Sequence, residues 1–130
     1  MNFKISELIY SETAVKNNIN NMPDINSLDN MFELICYCLQ PIRDKIKKPM
    51  IITSGYRNTE VNNLVGGAKN SQHKKGQAVD FIIKGMTVAE IVNFIKNNGF
   101  EYDQLINEYN KWCHISFNKG KNRKQVLKYM

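Results

Sequence analysis

The chain has 130 residues, and its 18 basic and 12 acidic side chains give a formal net charge of +6. This length predicts a single domain over residues 1–130, large enough to bury a core without cross-links. No stretch is long and apolar enough to span a membrane, and the N-terminus lacks the apolar run of a secretory signal. We therefore expect synthesis in a cytoplasm without membrane insertion, and we expect a monomer.

The positive charge is compatible with nucleic acid, an anionic cell wall or an acidic membrane surface as a partner. Basic residues concentrate at 43–48 and 119–128, but the interleaved aromatic and basic pattern of RNA-binding modules is absent, so we expect no specific nucleic acid. The three cysteines are an odd number, which argues against a disulfide framework. Cys36 and Cys38 lack the second cysteine pair typical of a zinc site, and we interpret them as core residues.

A long helix is predicted from Ser27, after a polar segment of short helical turns and loop over residues 1–26. Its apolar residues have a 4-3-4-3-4 spacing that lays one stripe along a helix: Leu28, Phe32, Ile35, Leu39, Ile42 and Ile46. We expect Ser27 to be the N-cap and Pro41 to kink the helix, which ends at Lys47–Pro49.

Shorter elements follow this helix. Residues 50–53 predict a short buried strand, residues 58–64 a short helix, and residues 78–83 a second strand. Thr87 and Glu90 have the spacing of a capping box, which predicts the start of another helix.

The last part of the chain predicts a hairpin. Residues 103–108 and 112–117 alternate between apolar and polar side chains, and a three-residue loop at 109–111 joins them. Residues 118–130 are a basic C-terminal tail or contain an edge strand at 125–129. Helices packed on a small, mostly antiparallel sheet make an α+β domain.

Asp80 is an acid within an otherwise apolar strand, where a buried carboxylate is costly unless it is paired or bound to a metal. The only two histidines are His73, just before this strand, and His114, in the second hairpin strand. Two imidazoles and one carboxylate are a zinc ligand set that leaves a fourth position for water. By pattern alone, a metal site and ordinary packed or surface histidines both stay open.

Four stretches in order carry a resemblance to a known family: SGYR at 54–57, NNLVGGAKNSQH at 62–73, GQAVDF at 76–81 and QLINEYNKWCHISF at 104–117. They are similar to the LAS-type zinc peptidases, which include D-Ala-D-Ala carboxypeptidases and L-alanyl-D-glutamate endopeptidases. The short single-domain branch of phages and prophages is the most similar, and the likeness covers about residues 39–117. It implies a peptidase of the endolysin type that reaches the cell wall after release or delivery and cuts peptidoglycan peptides.

The resemblance also implies one zinc ion in a cleft on the sheet, with the ligands His73, Asp80 and His114. In several branches a catalytic acid stands three residues before the last histidine, where this chain has Lys111. We therefore assign the general base to Glu108, which strand parity predicts on the same face as His114. Asp103 has the opposite parity and is the weaker alternative.

Four further residues are expected to contact the substrate or support the site. The resemblance implies that Arg57 holds a substrate carboxylate or polarises the carbonyl, tasks that suit its planar fork of donors. Ser71 and Gln72 are expected beside His73, as substrate-binding residues or as groups that orient its ring. Ser116 is expected to line the cleft, although a hydroxyl on a strand face is often merely structural.

Two functions from different classes remain open. The first is a zinc peptidase, either a D,D-carboxypeptidase or an L-Ala-D-Glu endopeptidase. The second is a non-catalytic wall-binding or virion structural domain that keeps the peptidase fold. Lys111 at a commonly acidic position favours the second, whereas the intact set of two histidines and Asp80 favours the first.

Overall fold

A computed structural model describes all 130 residues and has the predicted α+β architecture. Five strands form one sheet in the order β1-β2-β4-β3-β5, in which only the β3–β5 pair is parallel. The strands are β1 Ile51–Ser54, β2 Ala78–Ile82, β3 Gln104–Glu108, β4 Trp112–Ser116 and β5 Gln125–Tyr129. The six α-helices are α1 Ile5–Ile9, α2 Glu12–Lys16, α3 Ile25–Leu34, α4 Gln40–Ile46, α5 Thr59–Leu64 and α6 Val88–Asn97. None of these helices has both the length and the apolar character needed to cross a membrane.

The long helix differs from its prediction at the start and in the middle. Its N-cap is Asp24, whose carboxylate accepts a hydrogen bond of 2.8 Å from the Ser27 N–H, so the assignment of Ser27 as the cap is wrong. A π-helical turn, Ile35–Leu39, separates α3 from α4. This turn shifts the helical periodicity, and Phe32 of the predicted stripe is consequently 49% exposed.

Pro41 explains why a π-turn forms at this place. It lacks an N–H, and in a regular helix its ring would clash with the carbonyl group four residues earlier. The wider turn before it, in which the Gln40 N–H bonds to the Ile35 carbonyl, gives the ring room. The predicted irregularity at Pro41 is therefore a π-turn.

The first strand also differs from its prediction. β1 is an edge strand whose side chains alternate between exposed and half-buried, and Ile51 is 37% exposed. The expectation of a buried strand at residues 50–53 is wrong, because β1 has a neighbour on one side only, β2.

The hairpin and the capping box agree with their predictions. Thr87 and Glu90 cap the start of α6 reciprocally. In the hairpin, Glu108 pairs with Trp112, and the loop residues Tyr109 and Asn110 have φ angles of 59° and 57°. The three-residue loop therefore fixes the predicted register of β3 against β4.

The two faces of the sheet have different environments. Val79 and Phe81 of β2, like Cys113 and Ile115 of β4, are fully buried in the apolar core with the helices. Because successive side chains of a strand point to opposite faces, the residues between them lie on the other face. Asp80 and His114 are those residues, and they are direct partners across the β2–β4 ladder.

The connection between α1 and the end of β1 generates a stability prediction. A Cβ atom at Gly55 would overlap the carbonyl oxygen of Leu8 in α1, which also accepts a hydrogen bond of 2.6 Å from the Tyr56 N–H. We expect Gly55→Ala to reduce the free energy of unfolding by about 3 kcal/mol, the upper part of the range for overpacking. Thermal or urea unfolding measures this loss.

Gly120→Ala is the control. Gly120 has a φ of 76°, but a Cβ atom added there would meet no other atom within 4 Å, so only the backbone conformation is penalised, by about 1 kcal/mol. Equal losses in the two variants would contradict the claimed overlap with α1.

Candidate metal centre and cleft

Three buried side chains with metal-binding atoms converge on the face of the sheet opposite the core. His73, Asp80 and His114 are each less than 10% exposed, and their ligand atoms all lie within 4.8 Å of one another. Asp80 Oδ1 is 3.3 Å from Nε2 of His73 and 2.9 Å from Nδ1 of His114. The predicted ligand set is therefore brought together by two neighbouring strands and by the segment that precedes β2.

Local backbone structure fixes the position of His73. It lies in a 3-10 turn, Gln72–Lys75, that Ser71 caps by accepting a hydrogen bond from the His73 N–H. Gly76 ends the turn with a φ of 71°, a conformation that glycine adopts without strain. The His73 carbonyl accepts from the Arg57 N–H at 3.0 Å, which ties the turn to the end of β1.

The ring of His73 is oriented by a backbone carbonyl. Its Nδ1 lies 2.8 Å from the Gly55 carbonyl oxygen, which can only accept, so Nδ1 carries the proton. Nε2 therefore presents its lone pair toward Asp80. A second contact of this kind is typical of histidines that bind metals, because it fixes both the tautomer and the ring plane.

The charge state of Asp80 is set by its neighbours. Burial by itself would raise the pKa of this carboxyl, but the hydrogen bond from His114 and the close approach of His73 outweigh burial and hold the pKa well below its ordinary value. The Arg57 guanidinium adds a cation at 3.6 Å from Oδ2. Asp80 is thus an anion at neutral pH, as a metal ligand must be.

Glu108 lies at the end of β3 with its carboxylate in the cleft. One oxygen accepts a hydrogen bond of 2.9 Å from Nε1 of Trp112, and the other is 3.5 Å from Nδ1 of His114. The predicted pairing across the hairpin therefore brings Glu108 to the face of His114. Its side chain is 19% exposed, so solvent or a ligand in the cleft can reach the carboxylate.

Arg57 is held tightly beside the candidate ligands. Its Nε donates to Ser54 Oγ at 3.2 Å and its Nη1 donates to Asn62 Oδ1 at 3.4 Å, while its Nη2 faces Asp80. Burial lowers the pKa of Arg57, and the negative charges of Asp80 and Glu108 oppose this shift. The guanidinium is thus a positioned cation at the wall of the cleft.

The three other predicted substrate-binding residues have different surroundings. Ser71 lines the cleft and caps the turn of His73. Gln72 also lines the cleft, but its amide donates to Asp103 at 2.8 Å and makes no hydrogen bond with the His73 ring. Ser116 is completely buried and accepts from the Gln104 N–H at 3.0 Å, which contradicts the expectation that it lines the cleft.

Asp103 is not suited to act as the general base, because its carboxylate is already paired with Arg123. It is 1% exposed and accepts two hydrogen bonds from the Arg123 side chain, at 2.9 and 3.0 Å. Burial would raise the pKa of Asp103, but the hydrogen bonds from Arg123 and Gln72 more than offset it and lower the pKa. The sequence analysis does not predict this ion pair, because it gives the segment that contains Arg123 only as a basic tail or an edge strand.

The cysteines take no part in the site. All three are free thiols, and burial raises the pKa values of Cys38 and Cys113, which keeps these two protonated. Cys38 is a core residue as expected, whereas Cys36 is exposed on the helical segment, so its interpretation as a core residue is wrong.

The candidate ligands lie in a cleft that crosses the sheet. The larger part has a volume of about 810 Å³ and extends over β3 and β5, where Gln104, Arg123 and Tyr129 line it. A smaller part of about 330 Å³ extends toward β1 and α2. Arg57, Asp80 and Trp112 line both parts, so the candidate metal centre stands where the two parts meet.

Comparison with known proteins agrees with this geometry. The sequence model of the Peptidase M15 family matches residues 1–116. The peptidoglycan L,D-endopeptidase MepK of Escherichia coli (strain K12) is 44% identical over 50 residues, as is the protein of that name from Shigella flexneri. Each match covers 35% of this chain and 28% of the relative, so the similarity spans less than a third of those proteins. Because the family model covers most of its length, the chain belongs to the Peptidase M15 family of LAS-type zinc peptidases.

Proposed function

We propose that this chain is a zinc-dependent peptidase that hydrolyses the peptides of peptidoglycan. The observation that carries the proposal is the convergence of His73, Asp80 and His114, with Glu108 beside them, in one accessible cleft. Membership of a peptidase family supports the reaction, and the similarity to a peptidoglycan endopeptidase supports the substrate. We also propose that residues 1–130 act as one domain, since β5 joins the same sheet as the other strands.

The chemistry of the donor set fits one zinc ion. Two neutral imidazole nitrogens and one carboxylate oxygen are three protein ligands of the kind that catalytic zinc sites use. The bond from His73 to the Gly55 carbonyl leaves Nε2 free to bind, and Asp80 supplies the compensating negative charge. A zinc ion bound here would polarise the peptide carbonyl and lower the pKa of a water molecule.

The side chains around these ligands transfer protons and stabilise negative charge. Glu108 takes a proton from the attacking water and passes it to the leaving amine, and the indole of Trp112 keeps its carboxylate in the cleft. Arg57 donates to the oxygen on which negative charge develops, or to a substrate carboxylate. Both residues are held by hydrogen bonds, so little reorganisation is needed during the reaction.

The shape of the cleft favours an endopeptidase over a carboxypeptidase. The two parts of the cleft extend from the candidate metal centre toward opposite edges of the sheet. A peptide therefore has room on both sides of the scissile bond. The relative in Escherichia coli is itself named an L,D-endopeptidase. Digestion of purified cell wall, followed by identification of the new ends, decides between an L-Ala-D-Glu endopeptidase and a D,D-carboxypeptidase.

The competing hypothesis is a non-catalytic wall-binding or virion domain, to which Lys111 gave weight. The position of Glu108 in the cleft argues against this hypothesis, because its carboxylate is a candidate base although residue 111 is a lysine. Zinc content and wall hydrolysis, measured on the same sample, separate the two hypotheses: zinc without hydrolysis favours the non-catalytic domain.

The first prediction of this proposal concerns the metal. His114→Ala removes one of three ligands, so we expect this variant to lose zinc at micromolar metal concentrations. Elemental analysis after dialysis measures the zinc content. Cys36→Ala, which removes an exposed thiol outside the cleft, should retain about one zinc per chain. Retention of zinc by the His114 variant would contradict the assigned ligands.

The second prediction concerns Arg57. Its replacement by alanine leaves all three zinc ligands in place but removes a positioned donor, so we expect kcat/KM to fall by about 100-fold. The matched control is Arg43→Ala, because Arg43 lines a separate pocket beside α1. An Arg57 variant with normal hydrolysis would assign this residue a structural role only.

The third prediction concerns the general base. Glu108→Gln keeps the acceptor for Trp112 but cannot take up a proton, so activity should fall by about 10²–10⁴-fold with zinc retained. Glu101→Gln is the control, since Glu101 is 63% exposed and pairs with Lys124 away from the cleft. Hydrolysis rates and zinc content of both variants provide the measurement, and full activity in the Glu108 variant would rule this base out.

A further inference from the structure

The C-terminal strand lies outside the part of the chain that the family model matches, yet it forms one wall of the cleft. The match ends at residue 116, whereas β5 begins at Gln125 and pairs in parallel with β3 over its whole length. Arg123 and Tyr129 line the same cleft as the three candidate zinc ligands. The C-terminal segment thus adds two side chains to the cleft beyond the residues that define the family.

Arg123 is held in place by a buried acid. Asp103 accepts hydrogen bonds from its backbone N–H, from Nε and from Nη2, all between 2.8 and 3.0 Å. Gln72, from the turn next to His73, donates to the same carboxylate at 2.8 Å. A chain of hydrogen bonds therefore connects Arg123 to the segment that carries a candidate zinc ligand.

One edge of the Arg123 guanidinium remains available to a ligand. Nη1 has no hydrogen-bond partner within the protein, and the side chain is 56% exposed although Asp103 beneath it is buried. The hydrogen bond to Asp103 raises the pKa of Arg123, so the group keeps its positive charge.

The other groups near Arg123 suit a peptide. Tyr129 packs against Tyr109 with the ring centroids 6.5 Å apart, and the Gln104 amide bonds to Gln125 on the neighbouring strand. These groups offer an aromatic surface and amide contacts. The available guanidinium among them is a donor for an anion, and carboxylates are its preferred planar partners.

We propose that Arg123 is a specificity residue that binds a free carboxylate of the peptide substrate close to the scissile bond, and that Asp103 is the residue that positions it. The substrate class is then an acidic peptide, one that has a free carboxylate close to the bond that is cut. This inference rests on the proposed peptidase function, because it assumes that the cleft holds the scissile peptide.

The test uses two synthetic peptides that differ only in this group, one with the carboxylate and one with the carboxamide. A charge-assisted hydrogen bond in a cleft is expected to make kcat/KM about tenfold to a hundredfold higher for the acid, mainly through KM. Arg123→Gln should lower kcat/KM for the acid peptide to the level of the amide peptide. Lys124→Gln removes the same charge one residue away, outside the cleft, and should keep the preference.

A second variant guards against a folding effect. Arg123→Gln removes the cation that compensates the buried carboxylate of Asp103, so the double variant Asp103→Asn, Arg123→Gln replaces the ion pair with a neutral amide pair. Thermal unfolding identifies which variant remains folded, and the loss of preference is scored in that variant. A folded variant that still prefers the acid peptide would overturn the proposal.

A binding measurement separates failure of this inference from failure of the proposed function. The chain has a single tryptophan, Trp112, and it lines the cleft, so its fluorescence reports binding of non-hydrolysable reduced-amide analogues of both peptides. If neither peptide is cut but the acid analogue binds at least tenfold more tightly and Arg123→Gln abolishes this difference, the peptidase function fails and the carboxylate site stands. Equal binding of both analogues by the unmodified chain overturns the carboxylate site, whatever the hydrolysis shows.

Discussion

The burial of the Asp80 carboxylate is the constraint on which the rest of this structure depends. An isolated anion at this depth would be strongly unfavourable, so the chain must surround it with cations or donors. His114 in the strand β4 and Arg57 at the end of β1 supply a donor and a cation, and the 3-10 turn brings a His73 nitrogen that could share a metal ion with the carboxylate. The arrangement of the segments around β2 therefore follows from the need to compensate one negative charge, and a zinc ion would complete that compensation.

A second buried acid, Asp103, organises the side of the cleft next to β5 in the same way. Asp103 is compensated by Arg123 and Gln72 rather than by histidines, and its role is to attach the C-terminal segment to the sheet. The two acids differ in what their partners leave available. The partners of Asp80 can bind a metal, whereas the partners of Asp103 leave one edge of a guanidinium facing the cleft.

Those parts of the site that local patterns encode could be predicted from the sequence. Alternation and a three-residue loop fixed the pairing of Glu108 with Trp112, and an acid in an apolar strand identified Asp80. The prediction that Ser116 lines the cleft is wrong. Strand parity predicts the face on which a side chain lies, but it does not predict whether the side chain is buried on that face. The stripe through Phe32 failed because a π-turn shifts the helical periodicity in the middle of the helix.

The contribution of Arg123 could not be predicted from the sequence for a different reason. It depends on the parallel pairing of β5 with β3 and on the ion pair between Arg123 and Asp103, which are 20 residues apart in the sequence. Neither contact produces a local pattern in the sequence. Basic residues near a chain end are usually solvated. Only the three-dimensional structure distinguishes the arginine that is paired with a buried acid from the lysines around it.

The short segment between β1 and α5 connects the candidate metal centre to the N-terminal part of the chain. The Gly55 carbonyl accepts a hydrogen bond from the His73 ring. The Tyr56 N–H donates to the Leu8 carbonyl in α1, and the Tyr56 carbonyl accepts from the Asn21 side chain. A ligand that binds only the folded state stabilises every element whose order that state requires. Metal binding at His73 would therefore slow the exchange of amide hydrogens in α1, although α1 supplies no ligand. The exchange rates of the α1 amides would thus report whether a metal ion occupies the centre.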